Sequence, residues 1–160
     1  MQYPALVSQL WTMNRIDIDQ IRFHYLEISF AFRNRTRLKI FLLERLQKEG
    51  FAVDAINYVF CTDAYLLEIN KDYLKHNTYT DIVTFPLSPK GAPLLSDIYI
   101  SIDRVRENAE TFQTSFVKEL HRVVFHGALH LSGYVDKTKE QAKIMRIKEE
   151  EYLRLYFCST

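Results

Sequence analysis

Two periodicities alternate along the chain, one of about 3.6 residues and one of two, and they divide it into helices and strands. Residues 21–32, IRFHYLEISFAF, are rich in β-branched and aromatic side chains and partly alternate, which predicts an opening strand or two short ones. Over residues 35–49 the pattern changes. Leu38, Ile40, Phe41, Leu42, Leu43 and Leu46 return at helical spacing with Lys and Glu between them, and Gly50 offers a C-terminal cap. Residues 55–62 read as a buried strand, and residues 63–74 as an amphipathic helix begun by Thr62 or Asp63. A polar loop then leads to the strand TDIVTF, residues 80–85, which Pro86 stops.

SPKGAP, residues 88–93, holds much of the chain's Pro and Gly and reads as a flexible loop. The strand SDIYISI follows, and Asp103 is placed to cap a short helix ending near Phe112. From Ser115, an N-cap residue, the pattern is helical again, with Leu120, Val124, Gly127 and Leu131 forming a core-facing stripe within about 60° on the wheel. Phe125 and Leu129 make the opposite side apolar, so the second half of this helix is expected to be buried on nearly all sides. Gly133, free to take a left-handed conformation, ends it. The closing stretch, residues 137–157, is a charged amphipathic helix in which Glu150 and Arg154 pair at i,i+4, its charges reading as a solvated face. About four strands, one short helix and four longer ones make an α+β chain with packed layers.

The regular pattern begins only near Ile21. Residues 1–18 are therefore expected to be a loosely held extension before a single domain over 19–160, with Met13 as an alternative start. The opening QYPALVSQLW has no basic segment before it and no cleavage site after it, and is too short to span a bilayer. A chain of 160 residues suits one domain. Its 21 Lys and Arg against 20 Asp and Glu exclude a globally basic nucleic-acid binder, so any such contact must come from a local patch. Cys61 and Cys158 lie far apart in no metal or redox spacing, which suits a reducing cytoplasm.

Candidate chemistry concentrates in HGALHLSGYVD. His126 and His130 are one helical turn apart, so their donor atoms can converge on one ion. Gly133 turns the chain back, and Asp136 falls six residues past His130, within reach to complete three ligands for one zinc ion and leave a fourth position open. Two imidazoles on a helix otherwise built of Val, Phe, Ala and Leu also need polar partners to be buried cheaply. His24, His76 and His121 lack ligand spacing and read as structural or surface residues. The spacing His-x3-His-x2-Gly-x2-His/Asp is also that of the metzincin proteases, whose first His is followed by a Glu general base. Gly127 stands at that position here, which removes the group a peptidase needs.

HGALHLSGY matches the signature HGxLHLxGYDH of the YbeY-type endoribonucleases at each defined position through Tyr134. Asp136 then replaces the usual third histidine. LLEINKDYLKHNTYTDIVTFP resembles the family's second signature, with Asn70, Tyr73 and Thr80 to Phe85 in place, and SDIYIS resembles its Gly-Asp-Ile strand with Ser96 for Gly. The matches run from about residue 55 to about residue 153. The resemblance implies a small mixed four-stranded sheet flanked by helices, with a metzincin-like metal helix. It also implies a metal-dependent, single-strand-specific endoribonuclease of ribosomal RNA maturation and quality control, partnered by ribosomal RNA and the small subunit.

One departure bears on catalysis. Many relatives carry Arg directly after the Tyr of Asn-x2-Tyr, where this chain has Leu74, followed by Lys75 and His76. Lys75, His76 and Asp97 are the catalytic candidates, and Glu119, two turns before His126, is a further possible base or a salt-bridging residue. An RNA strand is expected along a groove between the metal helix and the strand 97–102, with Lys75 and Arg122 near phosphates. A non-catalytic, metal-binding ribosome-assembly factor is the alternative reading, and a zincin-like metalloprotease the third.

Overall fold

The chain forms β1 (Ile21–Tyr25), α1 (Arg35–Lys48), β2 (Val53–Cys61), α2 (Asp63–Leu74), β3 (Ile82–Pro86), β4 (Leu94–Ser101), α3 (Ile102–Thr111), α4 (Phe116–Leu131) and α5 (Lys139–Cys158). The structure, a computed structural model, describes residues 16–75 and 77–158. Of the expected N-terminal extension, residues 1–15, Met13 among them, lie outside the described residues; 16–18 lead into a 3-10 turn (Ile18–Gln20) capped by Asp17.

The sheet has the order β1-β2-β4-β3. β1, β2 and β4 are parallel, and β3 runs antiparallel to β4 at the edge. The expected mixed four-stranded α+β sheet is therefore present. Side chains alternate across it, as the two-residue period requires. Ser96, Ile98 and Ile100 of β4 are buried beside Leu120, Val123 and Val124 of α4, and the Tyr58 hydroxyl donates to the Val124 carbonyl at 3.1 Å. The opposite face is covered by α2, through Leu66 with Cys61 and Val83.

Gly127 sets how closely α4 lies on the sheet. A Cβ there would meet Ile82 Cδ1 at 3.0 Å and Ile98 Cγ2 at 3.1 Å. The core stripe predicted for this helix is borne out, since Leu120, Val124, Gly127 and Leu131 are all buried. Burial of Phe125 and Leu129 at 0% exposure shows that its other side is covered too, by α1 and α5 through rings such as Phe41 and Tyr156.

Three local expectations are corrected. The strand predicted over residues 21–32 ends at Tyr25. Glu27 takes a left-handed φ of 52°, and Phe30 and Phe32 pack on Phe60 without joining the ladder. Their apolarity reflects burial, not pairing. Helix α3 is capped by Ser101, whose hydroxyl accepts from Arg104 N at 3.2 Å, while Asp103 accepts from Asp63 N at 2.8 Å and ties the starts of α2 and α3 together. On α5, Glu150 lies 3.9 Å from Arg146, and Glu149 is buried rather than solvated.

Candidate metal centre

His126 and His130 stand on the same edge of α4 with their rings perpendicular and centroids 4.4 Å apart. Just past them the helix unwinds. Gly133 adopts φ 88°, which a residue with a Cβ rarely takes, and Tyr134 N closes the turn on the Leu129 carbonyl at 3.1 Å. This reversal carries the chain back along the helix end. Asp136 Oδ2 consequently lies 3.5 Å from His126 Nε2 and 3.7 Å from His130 Nε2, and the two Nε2 atoms are 2.9 Å apart. Ligand atoms about 2.0–2.1 Å from a tetrahedral zinc would be roughly 3.3 Å from one another, a value these separations bracket.

The outer nitrogens explain the orientation. His126 Nδ1 is 2.6 Å from Glu149 Oε1 of α5, and His130 Nδ1 is 2.9 Å from the Tyr134 carbonyl. Each oxygen is an acceptor, so in the neutral imidazole Nδ1 carries the proton and Nε2 is left to present a lone pair. Two lone pairs and a carboxylate then face one another. Such a donor set is repulsive by itself and attractive around a cation, so the residues fit a divalent ion. Burial, reinforced by the neighbouring His126, lowers the pKa of His130 and keeps its imidazole neutral.

Behind His126 runs a chain of buried charge. Arg122 Nη2 lies 2.6 Å from Glu119 and 3.4 Å from Asp81, and its Nη1 lies 3.1 Å from Glu149. Glu119 and Glu149 are each only 2% exposed. Burial alone would raise the Glu149 pKa, but the His126 hydrogen bond and the Arg122 charge outweigh it and lower it. Desolvation opposes the Arg122 charge, yet its carboxylate partners raise its pKa further. Glu149 is thus held as a carboxylate, the form that best accepts from His126.

The three candidate ligand residues line a groove of about 920 Å³ between α4 and the edge strand β3. Asn70 and Leu74 of α2, Thr78, Thr80 and Asp81 of the following loop, Arg122, and Lys137 line it too.

A sequence profile of the Endoribonuclease YbeY family matches residues 22–156. The chain belongs to this family. It is 46% identical over 136 residues to the Endoribonuclease YbeY of Flavobacterium psychrophilum, covering 85% of this chain and 96% of that one. With the Endoribonuclease YbeY of Cytophaga hutchinsonii the identity is 43% over 129 residues, covering 81% and 90%. The fold is similar to the solution structure of a Thermotoga maritima protein, with a TM-score of 0.59 and 30% identity over 86% of this chain and 89% of that one.

Against the YbeY-type signature the structure brings together His126, His130 and Asp136 and leaves other candidates apart. Asp97 lies on the sheet face away from α4, where it accepts from Asn57 Nδ2 at 2.8 Å. Lys75 is exposed at the end of α2, with Nζ 3.3 Å from the Asp72 carbonyl, and does not line the groove. His76 lies outside the described residues. Glu119 is a salt-bridging residue, and the Arg122 it binds is engaged by three carboxylates. The groove itself runs along β3 rather than along residues 97–102, because β3 takes the sheet edge outside β4. Sequence reasoning missed Glu149. Its signal was present, since Met145, Glu149, Tyr152, Leu153 and Tyr156 form one buried helical stripe.

Proposed function

We propose that this protein is a zinc-dependent endoribonuclease that cleaves single-stranded RNA in the groove between α4 and β3. The observation that carries this reading is the convergence of two imidazole lone pairs and the Asp136 carboxylate on one point of that groove. Membership of a family whose relatives bear the name Endoribonuclease YbeY supplies the substrate class. A zinc ion held by His126, His130 and Asp136 would act as a Lewis acid on the scissile phosphate and its attacking water.

The chain's own residues do the rest. Glu149 and the Tyr134 carbonyl fix the two imidazoles, so that the ligand atoms need little reorganisation. Lys137, one residue past Asp136, places an ammonium at the groove where a phosphate would lie. Arg122 lines the groove wall, but its charge and hydrogen bonds are taken up by Glu119, Glu149 and Asp81, so it organises that wall and does not grip phosphate. The metalloprotease reading has no general base, because Gly127 is pressed against Ile82 and Ile98 where the peptidase glutamate would stand.

The biological task that fits is maturation and quality control of ribosomal RNA alongside small-subunit components. A reducing cytoplasm suits the two free cysteines, Cys61 and Cys158, and no helix among the described residues is long and apolar enough to cross a membrane. Leu74, lining the groove where many relatives carry Arg, favours the non-catalytic assembly-factor reading. Incubation of the zinc-loaded protein with single-stranded RNA, structured RNA and casein separates the readings. Cleavage confined to single-stranded RNA and abolished by Asp136→Ala is expected; zinc binding without any cleavage would favour the assembly factor.

A further inference from the structure

Tyr134 is the last residue of the turn after α4 that the core still holds. It is half-buried against the main cluster, whereas Val135, Asp136, Lys137 and Thr138 are all exposed. The next fixed point is the start of α5, where Thr138 and Gln141 cap one another at 3.1 and 3.2 Å. Asp136 therefore stands midway along an exposed span, and takes its position from the two ends of that span.

The Tyr134 side chain is gripped from two helices. Its hydroxyl donates to the Glu49 carboxylate at the C-terminal cap of α1, 3.3 Å from Oε2 and 3.4 Å from Oε1. The Lys148 ammonium of α5 lies 5.7 Å from the centre of its ring and 4.0 Å from Glu49 Oε1. Consecutive residues of α5 thus reach the two imidazoles by different routes. Glu149 bonds His126 directly, while Lys148 bears on Tyr134, whose carbonyl accepts from His130 Nδ1 at 2.9 Å. Because that carbonyl and the chain leading to Asp136 belong to the residue whose ring is gripped, all three are placed together.

We propose that Tyr134 and Glu49 are positioning residues for the metal centre, the phenol anchoring the turn so that His130 is oriented and Asp136 is brought to the two imidazoles. This rests on the reading of His126, His130 and Asp136 as the ligands of one zinc ion. Neither positioning residue touches the ion. The acceptor for His130 is main chain and survives any substitution at Tyr134, so what such a substitution removes is its placement.

The test is metal binding, read apart from cleavage. Zinc affinity is measured by competition against a chromophoric chelator, and ligand geometry by the visible absorption of the cobalt-loaded protein, for wild type, Tyr134→Ala, Tyr134→Phe, Glu49→Ala and Phe23→Ala. Phe23 is a half-buried ring of the same core on β1, so its variant reports what lost stability alone does. Tyr134→Ala is expected to weaken zinc binding roughly tenfold and to dim the cobalt bands as the ligand set loosens. Tyr134→Phe and Glu49→Ala should each weaken it about two- to tenfold, and no further when combined, because both remove the same hydrogen bond. Phe23→Ala should match wild type. Wild-type affinity and spectrum in Tyr134→Phe and Glu49→Ala, or an equal loss in Phe23→Ala, would overturn the assignment and leave the metal centre standing. A wild type that takes up neither zinc nor cobalt would overturn both.

Discussion

Glu149 of α5 lies 2.6 Å from Nδ1 of His126 on α4, so the last helix of the chain fixes the orientation of the first metal-ligand candidate. Outer partners of this kind commonly change metal affinity by 10- to 100-fold when removed. Glu149→Gln keeps an acceptor but loses the charge, and should weaken zinc binding by roughly tenfold; Glu149→Ala should approach about 100-fold. Competition against a chromophoric zinc chelator reads both constants. Unchanged affinity in both variants would show that His126 is positioned without α5.

Gly127 lies against Ile82 and Ile98 at distances a Cβ can hardly share. Alanine in a helix interior is ordinarily about 1 kcal/mol better than glycine, and Gly127→Ala should forfeit that gain and be no more stable than wild type. Gly127→Glu, which places a buried carboxylate without a partner, should lose about 3–5 kcal/mol and show no peptidase activity. Urea unfolding measures the first two quantities. A stable Gly127→Glu protein with peptidase activity would refute both the packing and the functional argument.

His121 is 4% exposed, stacked on Tyr156 at 4.9 Å, with Nδ1 2.7 Å from the Val117 carbonyl. Burial lowers its pKa in the folded protein, so the unfolded chain takes up a proton more readily. The stability this neutral ring contributes is complete above about pH 6.5, the ordinary imidazole value, and is lost as pH falls through the folded pKa. Unfolding free energies measured from pH 7.5 down to pH 5 should fall more steeply in wild type than in His121→Phe. Parallel curves would assign the acid sensitivity to other groups.

The grouping of His126, His130 and Asp136 was legible in the sequence because helical spacing and one glycine suffice to bring the three together. Its helices were legible for the same reason, the apolar stripe of α4 being continuous through Leu120, Val124, Gly127 and Leu131. What escaped was set by the tertiary arrangement. Residues 26–32 carry strand-like side chains, but the ladder stops once Glu27 takes its left-handed turn. The groove wall depended on which strand holds the sheet edge, and β3 holds it although β4 follows it in sequence. Arg122 could be guessed to face phosphate only while Glu119, Asp81 and Glu149 were unknown as its neighbours.

One ion held by His126, His130 and Asp136 is proposed to serve RNA cleavage. Metal-depleted protein titrated with zinc, with bound metal and the cleavage rate of one single-stranded RNA recorded together, tests it most directly. The rate should rise in proportion to occupancy and level off near one ion per chain, with His126→Ala and His130→Ala taking up no ion and remaining inactive. Undiminished cleavage by protein shown to be free of metal would contradict the account.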